Sequence, residues 1–397
     1  MTTTIPAIPV TEAVTRAALE VSGPAYLYDL AHLDAHVAAI RARTTGLELL
    51  HAVKANPDPG LLKVIARHAD GLEVASGGEL AHVREHVPGA LLAFGGPGKT
   101  DAELAAAVAA GVHRYHVESF SELRRLNRAA AEAGVVASVL LRVNISTGDT
   151  GGGVLTMGGV PSPFGMDPVE ADACVAALPD LPAIDVVGVH AHLASGLDAE
   201  ACAAQGGAIL LWATEFARRH RLGLREVNVG GGMSVEYGRP AELFDWQKYS
   251  RQLLSLVPQG FDGVVRVEPG RAVSAYSGWY ASRVLDLKRS HGEWFAVCAG
   301  GTHHLRTPAA KGHDQPLVVV PVESWTEPWP RRATEEAVTF VGQLCTPKDV
   351  LARRIEAGPV RVGDVVLFAM AGAYAYNISH SDFLMHPRPE VRHVGAR

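Results

Sequence analysis

The sequence predicts an α/β part joined to an all-β part: a (β/α)8 TIM-type barrel over residues 25–275, followed by a C-terminal all-β domain over residues 276–397 that residues 1–24 complete. Three observations carry this. From about residue 47 to 268, eight short β-branched or apolar runs alternate with longer Ala/Leu/Glu/Arg-rich stretches of helical period. Such alternation means parallel strands joined by helical crossovers, and eight is the strand count of a barrel. After Arg271 the long helical stretches stop, and strand-like runs follow one another between Pro, Gly and charged turns. The 397 residues are 48% hydrophobic and 20% charged, enough for two buried cores and unlike a disordered chain. A doubly wound open sheet stays open as the alternative for the first part.

The barrel strands are expected near Leu49–Val53, Leu72–Ala75, Leu91–Phe94, His113–Val117, Val136–Val143, Ile184–Ala191, Glu226–Val229 and Val264–Val267. Helices are expected over Gly60–Ala69, Gly78–His86, Ala102–Ala110, Ser121–Ala133, Pro168–Leu178, Ala199–Arg219 and Leu243–Leu256. Asp101, Ser119 or Ser121, and Asp198 stand where a side-chain oxygen can cap the first turn. In the second domain the strand-like runs are Gly278–Leu287, Trp294–Cys298, Leu317–Val322, Ala337–Gly342 and Val365–Ala369.

Composition excludes several classes. A formal net charge of −6 argues against a general nucleic-acid binder, which needs a basic surface to displace counterions. Cys174, Cys202, Cys298 and Cys345 form no CxxC pair, so neither a disulfide framework nor a cysteine-rich zinc site is indicated. The start MTTTIPAIPVTEAV lacks a basic region followed by an apolar stretch, and no run approaches the roughly 18 apolar residues of a membrane span. The expectation is a soluble, cytoplasmic protein with no membrane partner.

Barrel enzymes carry their chemistry at the C-terminal ends of the strands. The residues just past the eight expected strands are Lys54, Ser76, Gly95, Glu118, Asn144, His190 with His192, Gly230–Gly232 and Glu268. Every one is polar, ionisable or glycine. Lys54, in HAVKANPDPG, is a surface lysine on the plain reading; in a barrel mouth it becomes an imine-forming amine, as in an aldolase or a pyridoxal phosphate enzyme. Gly230, Gly231 and Gly232 offer bare backbone N–H groups after strand seven, where barrels often bind phosphate, although turns use glycine too. In EPGR, Glu268 and Arg271 lie three residues apart beside that cradle: the guanidinium suits phosphate oxygens, the carboxylate a heterocyclic nitrogen. His190 and His192 share a face if their strand stays regular. They invite a metal-dependent hydrolase reading, but no further ligand is obvious, and a histidine stacked on an aromatic cofactor with Ser195 on its phosphate is the alternative.

HAVKAN, ASGGE, GVHAHLASG, NVGGGM, EPGR, a segment centred on Cys345 and GAY occur in an order that resembles the fold-type III pyridoxal phosphate (PLP) decarboxylases, the diaminopimelate and ornithine decarboxylase group. The resemblance spans about residues 25 to 385. It implies PLP as cofactor and a homodimer with shared active sites. By the resemblance, Lys54 is the Schiff-base lysine, His192 stacks on the PLP ring, and Glu268 pairs with the ring nitrogen. Ser195, Gly231, Gly232 and Arg271 hold the phosphate with Tyr374, and Cys345 protonates the carbanion after CO2 leaves. A carboxylate at the ring nitrogen favours decarboxylation over the racemases of the same fold, which place an arginine there.

The substrate end departs from the best-known members. The residue after the family's cysteine is usually acidic and pairs with a distal amine; here it is Thr346, followed by Pro347 and Lys348. A distal ammonium would then lie buried and unpaired. His303, His304 and Arg306 in CAGGTHHLRTPA, with His380 and His386 further on, are donors suited to carboxylates. GTHHLRTPA and AYNISHSDFLMHPRP resemble the siderophore-biosynthesis branch, such as the staphyloferrin B decarboxylase, which acts on a citryl-diaminopropionate adduct. The expected reaction is decarboxylation of an amino acid amide-linked to citrate or a similar polycarboxylate. A conventional diaminopimelate or basic-amino-acid decarboxylase is the second reading.

Overall fold

Eight strands close into a parallel barrel: β1 (Glu48–Ala52), β2 (Gly71–Val74), β3 (Leu92–Phe94), β4 (Arg114–Val117), β5 (Ala137–Arg142), β6 (Ile184–His190), β7 (Glu226–Asn228) and β8 (Val264–Val267). They pair in chain order, and β8 returns to β1 through Arg266 opposite Glu48 and Val267 opposite Leu49. Closure excludes the open-sheet alternative. The structure is a computed structural model that describes residues 3–4, 9–146, 155–156 and 158–395. Residues 1–2 and 5–8 of the segment expected to complete the β-domain lie outside the described ones. Among the described residues no helix is long and apolar enough to cross a membrane.

The strands sit within about a residue of expectation because each is a short, largely apolar run whose side chains are mostly buried on both faces, the mark of a parallel sheet covered by helices. Ser119 and Asp198 cap their helices as expected, accepting from Glu122 N and Ala201 N. Asp101 does not. Thr100 is the cap of Asp101–Ala109 and forms a capping box with Glu103, while Asp101, one residue inside, pairs with Arg125 and Arg128.

The N-terminal end of the barrel is closed by charge. Arg266, 2% exposed at the middle of β8, bridges Glu48 at the start of β1 and Glu226 at the start of β7, and Glu226 also takes Arg114 at the start of β4. Burial alone would raise the Glu226 carboxyl, but the hydrogen bonds from Arg114 and Arg266 outweigh it and hold it below its usual range.

The chain divides into two compact units: His36–Ser234 with Phe244–Val273, which contains the barrel, and Met1–Ala35 with Val235–Leu243 and Ser274–Arg397. The second unit is built on a nine-stranded mixed sheet whose longest strand, Gly278–Ser290, pairs with Ala25–Asp29, Glu293–Cys298 and Val365–Phe368. Residues 25–35 and 235–243 thus group with this sheet and not with the barrel, a difference from the boundaries the sequence suggests. Ala25–Asp29 pairs with strands some 250 and 365 residues away, Gly278–Ser290 and Glu390–Val394. Among the strands of this unit that were not expected, Val350–Glu356 and Glu390–Val394 escape because their Arg, Glu and His content hides the apolar alternation.

Replacing Arg266 by Met is expected to lower unfolding free energy at neutral pH by about 1–3 kcal/mol, because Glu226 keeps Arg114 and loses only its charged hydrogen bond from Arg266. Because the folded-state pKa of Glu226 is depressed, its contribution is present above the ordinary carboxylate range and lost as pH falls through the folded value. Denaturant titrations should therefore show the gap between wild type and variant shrinking in acid.

Candidate active site

Lys54 lies in the 3-10 turn Val53–Ala55 directly after β1, its side chain about half exposed while Val53 and Ala55 are buried. Its Nζ stands 2.9 Å from Glu73 Oε2, and the Glu73 side chain, on β2, is 4% exposed. Burial raises the Glu73 pKa, Lys54 opposes that, and the Glu268 charge adds to it. The Lys54 ammonium thus favours the charged form of Glu73 against its burial. Gly95, past β3, leaves room for this carboxylate: a Cβ there would lie 2.8 Å from Glu73 Oε1.

The strand β6 ends at His190, so His190 and His192 do not act as a pair on one face. His192 Nδ1 accepts the Gly231 N–H at 3.1 Å, and Nε2 lies 3.3 Å from Ser195 Oγ. The backbone donor fixes the neutral tautomer with hydrogen on Nε2. Burial, then Arg142 and Lys54, push its pKa down to about 4. The glycine run is required by the backbone. A Cβ on Gly231 would sit 2.2 Å from the Glu268 carbonyl oxygen, and one on Gly232, at φ +102°, 2.3 Å from that of Ala194. The Gly231 N–H is spent on His192, whereas the Gly232 N–H has no partner among the described residues. Arg271 opens the short helix Arg271–Ser274 just after Glu268.

Glu268 is buried, and its Oε1 accepts from Asn228 Nδ2 at 2.7 Å. Asn228 Oδ1 in turn accepts the Gly230 N–H at 2.9 Å, so one amide side chain ties the carboxylate to the glycine run. His116 Nε2 and His190 Nε2 face the Glu268 oxygens at 3.7 and 3.4 Å. These three residues bring ligand atoms within 4.8 Å of one another. The two rings are tilted against each other, with centroids 4.2 Å and planes 31° apart.

The other strand ends serve the scaffold. Ser76 caps the helix Gly77–His86, Asn144 pins Gly159 and Val160, and Glu118 takes Arg142 Nη1 at 2.5 Å and the Gly165 N–H at 2.9 Å.

Residues 30–275 match the family model described as the pyridoxal-dependent decarboxylase, pyridoxal binding domain. The chain is 36% identical, over 92% of each chain, to the 2-[(L-alanin-3-ylcarbamoyl)methyl]-2-hydroxybutanedioate decarboxylase of Staphylococcus aureus. It is 32% identical to the diaminopimelate decarboxylase of Pseudomonas aeruginosa, over 92% of this chain and 86% of that one. This chain belongs to the pyridoxal-dependent decarboxylases. The fold agrees: the diaminopimelate decarboxylase of Helicobacter pylori, solved with L-lysine, superposes with a TM-score of 0.83 at 23% identity, over 95% of this chain and 92% of that one.

The decarboxylase takes pyridoxal 5′-phosphate as its cofactor, and its barrel residues fit that group. They supply a half-exposed primary amine, a neutral flat imidazole, a buried carboxylate with its own donors, and an unpartnered backbone N–H in a cradle where side chains cannot intrude.

In the second unit of the decarboxylase, Cys345 is exposed while the other three cysteines are buried. Its loop is held by Asp349, 2% exposed, which accepts from Leu344 N at 2.8 Å and from Thr302 N and Oγ1 at 2.6 and 2.8 Å. One carboxylate thus fixes both the Cys345–Thr346 loop and the segment that carries His303, a link the sequence did not reveal. The Thr346 side chain accepts from Lys348 N at 3.4 Å. His304 is committed to the fold: Nδ1 lies 3.0 Å from Tyr280 Oη and Nε2 3.0 Å from the Pro387 carbonyl oxygen. Both His303 nitrogens lack partners among the described residues, and burial lowers that ring's pKa to about 4. Arg306 is exposed. Tyr374 has φ +48°, an uncommon conformation for an aromatic residue, and its carbonyl is held by Thr307 Oγ1 at 2.6 Å.

Gly231→Ala is expected to cost about 1–3 kcal/mol or more, because the atom it meets is backbone and cannot turn away. Gly78→Ala, at a helical position where a Cβ meets only Ser76 Oγ at 3.7 Å, should be neutral or stabilising by about 0.4–1 kcal/mol. Thermal melts of the two variants check the contrast.

Proposed function

We propose that this enzyme decarboxylates an amino acid amide-linked to citrate or a similar polycarboxylate, as a step of siderophore biosynthesis. The observation that carries the reading is the 36% identity, over 92% of both chains, to an enzyme whose substrate name describes such an amide: a 3-aminoalanine nitrogen acylated by a hydroxy-tricarboxylic acid. Thr346 supports it, since a neutral side chain stands where a distal ammonium would need a carboxylate. His303 supports it as well. Held neutral, it offers an N–H to a carboxylate without the pH dependence of a cationic histidine. His304, both of whose nitrogens are engaged, shapes the segment, and the exposed Arg306 guanidinium is the fork for a second carboxylate.

When bound, pyridoxal phosphate supplies the electron sink that takes up the pair left by departing CO2. Lys54 would carry the cofactor, and Glu73 Oε2, 2.9 Å away and raised in pKa by burial, would take the proton its amine gives up. His192 would stack on the cofactor's ring, its orientation set by the Gly231 N–H. Glu268 would pair with the ring nitrogen. Ser195, Gly232 and Arg271 would hold the phosphate with Tyr374, and the Gly231 N–H contributes by orienting His192. Cys345 Sγ donates the proton to the carbon that has lost CO2. In this reading the enzyme works in the cytoplasm as a homodimer, and one protomer's cysteine serves its partner's barrel.

In side-by-side CO2-release assays, a citryl-diaminopropionate amide should exceed diaminopimelate and ornithine in kcat/KM by about a hundredfold or more, the scale on which a site rejects a group it leaves unpaired. Faster turnover of either diamine would refute the substrate. Cys345→Ala should keep the visible absorbance of the bound cofactor while turnover falls by about 10²–10⁴, the usual worth of a placed general acid. Sedimentation should give twice the 42.0 kDa chain mass.

A further inference from the structure

We infer that His116 and His190 are positioning residues for Glu268: two buried imidazoles, whose Nε2 atoms stand against different oxygens of one carboxylate, hold that carboxylate aimed at the cofactor's ring nitrogen. The inference rests on the assignment of Glu268 as the partner of that nitrogen.

His116 stands inside β4 and is 0% exposed; His190 ends β6 and is 3% exposed. His116 Nε2 faces Oε1 of Glu268 at 3.7 Å, and His190 Nε2 faces Oε2 at 3.4 Å. None of the four ring nitrogens makes a hydrogen bond among the described residues. A histidine kept only for packing finds a partner for its N–H or gives way to an apolar residue. Here the rings lie 4.2 Å apart, and the Nε2 atom of each stands against the same carboxylate.

A buried carboxylate stays charged only where donors surround it. Asn228 supplies one strong donor to Oε1. A cationic second partner would bind the carboxylate in a closed ion pair and compete with the ring nitrogen. Two neutral rings at 3.4 and 3.7 Å confine the carboxylate without closing on it and leave it free to accept from the cofactor. The surroundings keep both rings neutral. Burial acts first on each; His190, Lys99 and Arg266 then act on His116, and Arg142, His192, Lys54 and Lys99 on His190. Only Glu268 pulls His116 the other way.

Nitrogen-15 NMR of histidine-labelled enzyme, with and without pyridoxal phosphate, tests the first half. Both rings should be neutral with hydrogen on Nε2 from pH 6 to 9. A bare Nε2 on both rings, or a cationic ring, overturns the inference.

Enzyme loaded with pyridoxal phosphate labelled with nitrogen-15 in the ring tests the second half. The wild-type ring nitrogen should be protonated. In His116→Leu and His190→Leu its resonance should move toward the unprotonated position, and cofactor affinity should fall about tenfold, the order of one hydrogen bond to a charged group. His116→Gln and His190→Gln, which return an uncharged N–H, should recover both. Unchanged resonance and affinity in both leucine variants overturns the inference. An unprotonated ring nitrogen in wild type would instead refute the Glu268 assignment on which it rests. Should the leucine variants fail to fold, the tautomers of the wild-type rings decide.

Discussion

A lysine and a buried carboxylate 2.9 Å apart at the mouth of the barrel are the interaction around which the catalytic unit is organised. Burial raises the Glu73 pKa and the Lys54 ammonium opposes that. In the proposed role of Lys54, an amine that gives up its proton has an acceptor already in contact. Gly95 is glycine because a side chain there would occupy the space of the Glu73 carboxylate.

The rest of the mouth extends the same logic of neutral donors around few charges. His192 is fixed in its neutral tautomer by a backbone N–H, and Asn228 joins Glu268 to the glycine run. That run in turn admits no Cβ against the backbone of the neighbouring segments. At the opposite end of the barrel the charges are paired tightly through Arg266 and Glu226, where nothing needs to exchange a proton. The two ends therefore differ in kind: one is a closed ion-pair cluster, the other an open set of partners able to receive a ligand.

The barrel was legible because its strands are local, apolar and regularly spaced, and candidate site residues stood out where polar residues follow apolar runs, as Lys54, Glu268 and the glycines do. Glu73, His116 and Asn228 were missed for the opposite reason. They sit inside strands, and the eye reads GLEV, RYHV and EVN as strand with incidental polarity. The available signal was the inward face of a closed barrel, where a charged or amide side chain has no solvent and must be serving another group. Long-range pairing explains the other difference. Nothing local in AYLYD says that its partners begin near residues 278 and 390. The left-handed backbone at Tyr374 and the hold of Asp349 on two loops are likewise products of tertiary structure, invisible to spacing.

The account stands on Lys54 as the residue that captures the cofactor. Seven lysines are present in the chain, of which Lys99 is buried against Glu122 and the others lie elsewhere on the sequence. Borohydride reduction of the enzyme loaded with pyridoxal phosphate, followed by peptide mass spectrometry, reads the site directly. The account predicts one phosphopyridoxyl group per chain, on the peptide containing Lys54. A group on another lysine, or none, would contradict it.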